Sequence, residues 1–166
     1  MAEHTIKAFD EEIDRLRGLI AEMGGRAEAA IENAMLALQR QDQRLAAEVV
    51  ADDKRIDALE AEVEKLVVQI IALRAPMAND LRDVIAALKI VSVVERIGDY
   101  AKNIAKRVPL IAANQHKLEP VSLLPSMGQV AAEMVHDVLN AFAARDAELA
   151  LAVVERDQVV DDFYDS

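Results

Sequence analysis

Asp53, Asp57, Glu60 and Glu64 recur at alternating spacings of three and four residues. On a helix turning about 100° per residue they fall within one narrow arc, and no Lys or Arg lies inside it. Like charges at such spacings destabilise a helix by a few tenths of a kcal/mol per pair. An acidic edge left unneutralised along its own helix is therefore a candidate cation site. A second column, Glu95, Asp99 and Asn103, is spaced i, i+4, i+8 on the face opposite Ile97 and Ile104, with ~6 Å of rise between neighbours. If these two helices are antiparallel neighbours, the columns confront each other. Oxygen ligands without His or Cys select hard cations: Mg²⁺, Ca²⁺, Mn²⁺ or iron in a carboxylate-bridged cluster. Two other readings stay open on spacing alone. The acids could be ordinary solvated faces, with Lys102 and Lys106 as ion-pair partners on the face of Glu95 and Asp99. A carboxylate-bridged hydrolase or oxidase is the enzymatic rival, although no His ligand or di-iron Glu-x-x-His pattern supports it.

Composition narrows the class. The 166 residues hold 19 Lys+Arg against 30 Asp+Glu, a net charge of −11. A field of that sign repels nucleic-acid phosphates and anionic lipids, so neither is an expected partner. The absence of Cys removes disulfides, thiolate metal sites and thiol nucleophiles, and it fits a cytoplasmic address. The N-terminus carries acids where a signal peptide needs a basic head, and no apolar run approaches the roughly 20 residues that span a bilayer. A soluble protein without direct membrane insertion is expected. His4, His116 and His136 are scattered and read as surface residues.

Helices must position the acidic columns, because abundant Ala, Leu, Val and Glu with few Gly and Pro favour long helical segments. Ile6, Phe9, Ile13, Leu16, Ile20, Met23, Ala27, Ala30, Ala34 and Leu38 form one apolar stripe to about Gln39, with Gly24-Gly25 as a soft point. Asp42 is placed to cap a second helix carrying Leu45, Val49, Ile56, Leu59, Val63, Leu66, Ile70 and Leu73, which stops at Arg74-Ala75-Pro76. A third helix is expected from Asn79 or Asp80 to just before Pro109. Its residues 84–94 are apolar almost all round and should be buried on more than one side. Gly98 permits close packing of backbones. Three long helices with short connections make an antiparallel bundle.

A repeat extends this plan. The segment from Asp42 matches that from Asp146 at an offset of 104 residues, pairing Asp53 with Asp157 and Asp57 with Asp161 among other identities. Two copies of one three-helix unit are read, the second lacking most of its second helix and all of its third. The fold expected is all-α: a first bundle over 1–108, a proline-containing linker over 109–125, and a partial second bundle over 126–166. Val153, Val160 and Phe163 would then lack a covering helix, which predicts dimerisation or disorder near the C-terminus.

Residues 95–105, Glu-Arg-Ile-Gly-Asp-Tyr-Ala-Lys-Asn-Ile-Ala, resemble the signature of the PhoU family of phosphate-transport regulators. So do Asp53-Lys-Arg-Ile-Asp57 and Asn79-Asp-Leu-Arg82, in the family's order and spacing. The resemblance covers essentially the whole chain. It implies two tandem three-helix bundles in a cytoplasmic, usually dimeric regulator, which partners bring to the inner membrane. It implies no enzymatic activity. The partners implied are the phosphate ABC transporter ATPase and a phosphate-sensing histidine kinase. The cofactor implied is a divalent or trivalent metal ion (Mg, Mn, Fe or Zn). Carried onto this chain, the metal residues are Glu95, Asp99 and Asn103 facing Asp53 and Asp57. Tyr100 stands where many relatives have His, and the second bundle's counterpart of the 95–105 segment is missing, so Asp157 and Asp161 have no visible partner column.

Overall fold

The computed structural model describes residues 2–113 and, beyond them, scattered positions between 129 and 140. Three helices follow one another: α1 over Ala2–Arg40, α2 over Gln43–Arg74 and α3 over Asn79–Ala113. All three pack on one another in an antiparallel bundle. Most of the expected second copy, including Asp157, Asp161, Val153, Val160 and Phe163, lies outside the described residues, as do His116 and the rest of the linker from residue 114.

The first turn is tight. Gln41 takes a left-handed φ of 53°, and the Asp42 N–H reaches back to the Ala37 carbonyl at 2.9 Å. Asp42 then caps α2, its carboxylate accepting from the Leu45 N–H at 3.0 Å. The second turn uses two more left-handed alanines, Ala75 (φ 43°) and Ala78 (φ 53°), and the Ala75 N–H closes α2 on the Ile71 carbonyl at 3.2 Å. Pro76 follows where helix is no longer possible. α1 runs unbroken through Gly24-Gly25.

The core is built from the three stripes: Leu16, Ile20, Met23 and Ile31 of α1, Ile56, Leu59, Val63 and Ile70 of α2, and Val84, Ile90, Ile97 and Ala101 of α3 are all almost fully buried. Val130, from beyond the linker, leans on the same core. Ion pairs fix the register of α2 on α1. Arg74 grips Glu12 with two nitrogens, at 2.9 and 3.4 Å, and Arg55 meets Glu22 at 3.2 Å.

One expectation is corrected. α3 does not end before Pro109 but continues through it to Ala113, so residues 109–113 are helix, not linker. Proline deletes one N–H from the ladder, yet Val108 before it is buried and Ile111 after it packs on the core, which holds the last turn in place. The burial expected for 84–94 on more than one side is observed. Val84, Ala87, Ile90, Val91, Val93 and Val94 are buried, whereas Ile85 stays partly exposed. Leu81, Val68 and Ile71 are exposed as well.

Candidate metal site on the α2–α3 face

Charge repulsion alone would keep two acidic helix edges apart, so their approach requires apolar packing between them. Gly98 supplies the contact. A Cβ built on it would stand 3.3 Å from Ile56 Cδ1 and 3.4 Å from Asp53 Oδ1, tighter than ordinary van der Waals separation. With hydrogen at that position, α3 seats directly on the Asp53–Ile56 turn of α2.

Asp53 is drawn inside by this contact. It is 3% exposed, the one buried charged residue among those described. Its two oxygens have different surroundings. Oδ2 meets the Lys102 ammonium of α3 at 3.4 Å, whereas Oδ1 is buried without a hydrogen-bond partner. Burial pushes the Asp53 carboxyl above its ordinary range, as do the charges of Asp57 and Asp99, against the pull of Lys102.

Antiparallel packing that sets Asp53 against Lys102 also brings Glu60 toward Glu95. Glu60 is raised by burial and by Glu64, Asp57 and Asp99. Glu95 is raised furthest, to about 7: burial is the main cause, followed by a hydrogen bond and charge repulsion from Asp99, then Glu60 and Asp57. The two rows therefore share one electrostatic field across the helix boundary. Asp57 is exposed, while Glu95, Asp99 and Asn103 are half-buried. The Asn103 backbone carbonyl accepts from Arg107 at 3.2 Å. Beside them the buried Tyr100 hydroxyl meets Arg96 at 3.1 Å.

The acids are neighbours without being a finished cage. Among the described residues, no three His, Cys, Asp or Glu side chains converge closely enough to hold one ion. Lys102 stands at the buried end of the face, against Asp53 Oδ2. Its spacing from Asp99 marks it as an on-helix ion-pair partner, yet it crosses to α2 instead. Spacing along one helix cannot say which way a four-carbon stem leans. Glu60 was legible within its acidic arc, but its coupling to Asp99 needed the register of the two helices.

The PhoU domain model matches residues 20–108 and 124–166. The chain belongs to the PhoU family. The PhoU homolog of Zymomonas mobilis, a phosphate-specific transport system accessory protein, is 53% identical over 163 residues, covering 98% of this chain and 68% of that protein. The homolog of Caulobacter vibrioides is 41% identical over 170 residues, covering 100% of this chain and 72% of its own length. Crystal structures agree. PhoU from Pseudomonas aeruginosa superposes with a TM-score of 0.82 at 34% identity, over 95% of this chain and 75% of that one. The phosphate transport system regulatory protein PhoU from Streptococcus pneumoniae gives 0.77 at 30% identity, over 94% and 73%. Membership of the PhoU family accounts for the helical bundle. No helix among the described residues is long and apolar enough to cross a membrane.

Proposed function

We propose that this chain is a noncatalytic, metal-binding regulator of phosphate uptake and phosphate-starvation signalling. It acts in the cytoplasm as a homodimer, with the phosphate ABC transporter ATPase and a phosphate-sensing histidine kinase. The names of its relatives, accessory and regulatory proteins of phosphate transport, support the regulatory part. The metal part is supported chiefly by Asp53, a buried carboxylate with one unpartnered oxygen in a row of mutually repelling acids. Buried carboxylates cost free energy unless they are paired or coordinate a cation.

The donor set suits a hard di- or trivalent ion. Asp53 and Asp57 from α2, with Glu95, Asp99 and Asn103 from α3, would hold it, and the chemistry supplied there is neutralisation of charge between two helices. Asp53 would fix the buried end, and the half-buried acids of α3 would close the face by rotamer changes. A face stiffened in this way presents partners with a different charge and a different ease of deformation.

The test has two arms. Purified protein, stripped with chelator and then offered Mg²⁺, Mn²⁺, Fe²⁺ or Zn²⁺, should retain one of them stoichiometrically through gel filtration and lose it on Asp99→Ala. Equal retention by both proteins, or none, would leave the acids as solubilising surface. In a bacterium deleted for its own PhoU, the chain should restore repression of phosphate-starvation genes in rich phosphate, and continued derepression would overturn the regulatory reading.

A further inference from the structure

Lys102 occupies the place in the acidic face where charge is most needed. Its ammonium lies 3.4 Å from Asp53 Oδ2, and its side chain is 31% exposed against 4% for that of Asp53. The anionic partner is locked in the interior while the cationic one is anchored by a flexible stem whose root is on the rim. Asp57 and Asp99 act on the same carboxylate. A lysine is a compact point charge with free rotation about its stem, so it can leave such a position without moving the backbone. A di- or trivalent ion on the free Oδ1 of Asp53 would stand within a few ångströms of the ammonium on Oδ2, and repulsion between two cations on one buried carboxylate drives the singly charged, tethered one away.

We propose that Lys102 is a built-in counter-ion that fills the carboxylate face of the metal-free protein and is displaced from Asp53 when a metal ion binds. The inference rests on the metal-binding reading and adds its regulation. The tethered ammonium sets the threshold for loading, because every binding event must break the Lys102–Asp53 pair. It also links occupancy to a visible change at the surface, since the released ammonium swings out beside Lys106.

Thermodynamic linkage makes this testable without any partner assay. Lys102→Met keeps the length of the stem and removes its charge, whereas Lys102→Arg keeps the charge and grips a carboxylate with a planar fork that is harder to displace. Calorimetric titration of the chelator-stripped chains, using whichever of Mn²⁺, Mg²⁺, Fe²⁺ or Zn²⁺ the wild type retains, should show about tenfold tighter binding by Lys102→Met, the sign expected when a competing cation is lost. Lys102→Arg should bind severalfold more weakly. In thermal melts, Lys102→Met should be less stable than wild type without metal and equal to it when loaded. If Lys102→Met fails to fold, the weaker binding of Lys102→Arg still decides the matter. Wild-type affinity in both variants, or weaker binding by Lys102→Met, would overturn the displacement while leaving the metal site intact. No binding of any of the four ions by any of the three chains would overturn the site and the displacement together.

Discussion

Glu95 and Asp99 stand one turn apart on α3, and Glu95 is pushed up to about 7, first by burial and then by that neighbour. The folded chain therefore keeps a proton on Glu95 at a pH where an unfolded chain has released it. Between the ordinary glutamate value of 4.5 and about 7, folding is thus accompanied by proton uptake, and stability falls as pH rises through that window. Asp53 and Glu60, both raised, act in the same direction. Metal-free protein should therefore melt roughly 2–4 °C lower at pH 8 than at pH 5.5. Glu95→Gln should flatten most of that slope. A melting temperature that rises across this range would contradict the assignment.

Alanine at a left-handed φ makes the second turn improvable. Ala75 and Ala78, at φ 43° and 53°, pay a steric penalty that glycine escapes. Ala75→Gly should raise stability in chemical denaturation by about 0.5 kcal/mol, after allowing for the greater freedom of glycine in the unfolded chain. The same exchange at the exposed helical Ala61 should lower it by about 1 kcal/mol. Opposite signs for one chemical change isolate backbone conformation as the cause.

The Arg74–Glu12 pair is half-buried and held by two nitrogens, unlike the more exposed pairs of α1 and α2. A double-mutant cycle on Arg74→Ala and Glu12→Ala should return a coupling of about 1 kcal/mol, the upper end for pairs near a surface. A like cycle on Arg44 and Glu48, one exposed turn apart, should return close to zero. Coupling of equal size in both would show that enclosure adds nothing here.

Much of this bundle was readable before any coordinates. The apolar stripes are buried from Ile13 to Leu38 and from Val49 to Ile70, because periodicity and burial on a helix have one cause, whereas their outermost members Ile6 and Leu73 are exposed. Asp42 as a cap and Arg74-Ala75-Pro76 as a stop were equally legible, since both act within one turn of chain. Pro109 was misjudged because the contact that sustains the helix beyond it, Ile111 on the core, is tertiary. In the acidic face, both columns could be found by spacing, and Gly98 by its lack of a side chain. That Lys102 would cross to Asp53 and not stay with Asp99 depends on the stagger of two helices, which no local pattern encodes.

Because hydrogen stands at residue 98, the gap separating the opposed oxygens is dictated by main chain resting on Asp53 and Ile56. Rotamers can retune each donor, but only sliding or prying the two rods can alter the width of the cleft itself. A methyl group at this position would press on Ile56 and Asp53, and so reset the separation of the two acidic rows from outside both of them.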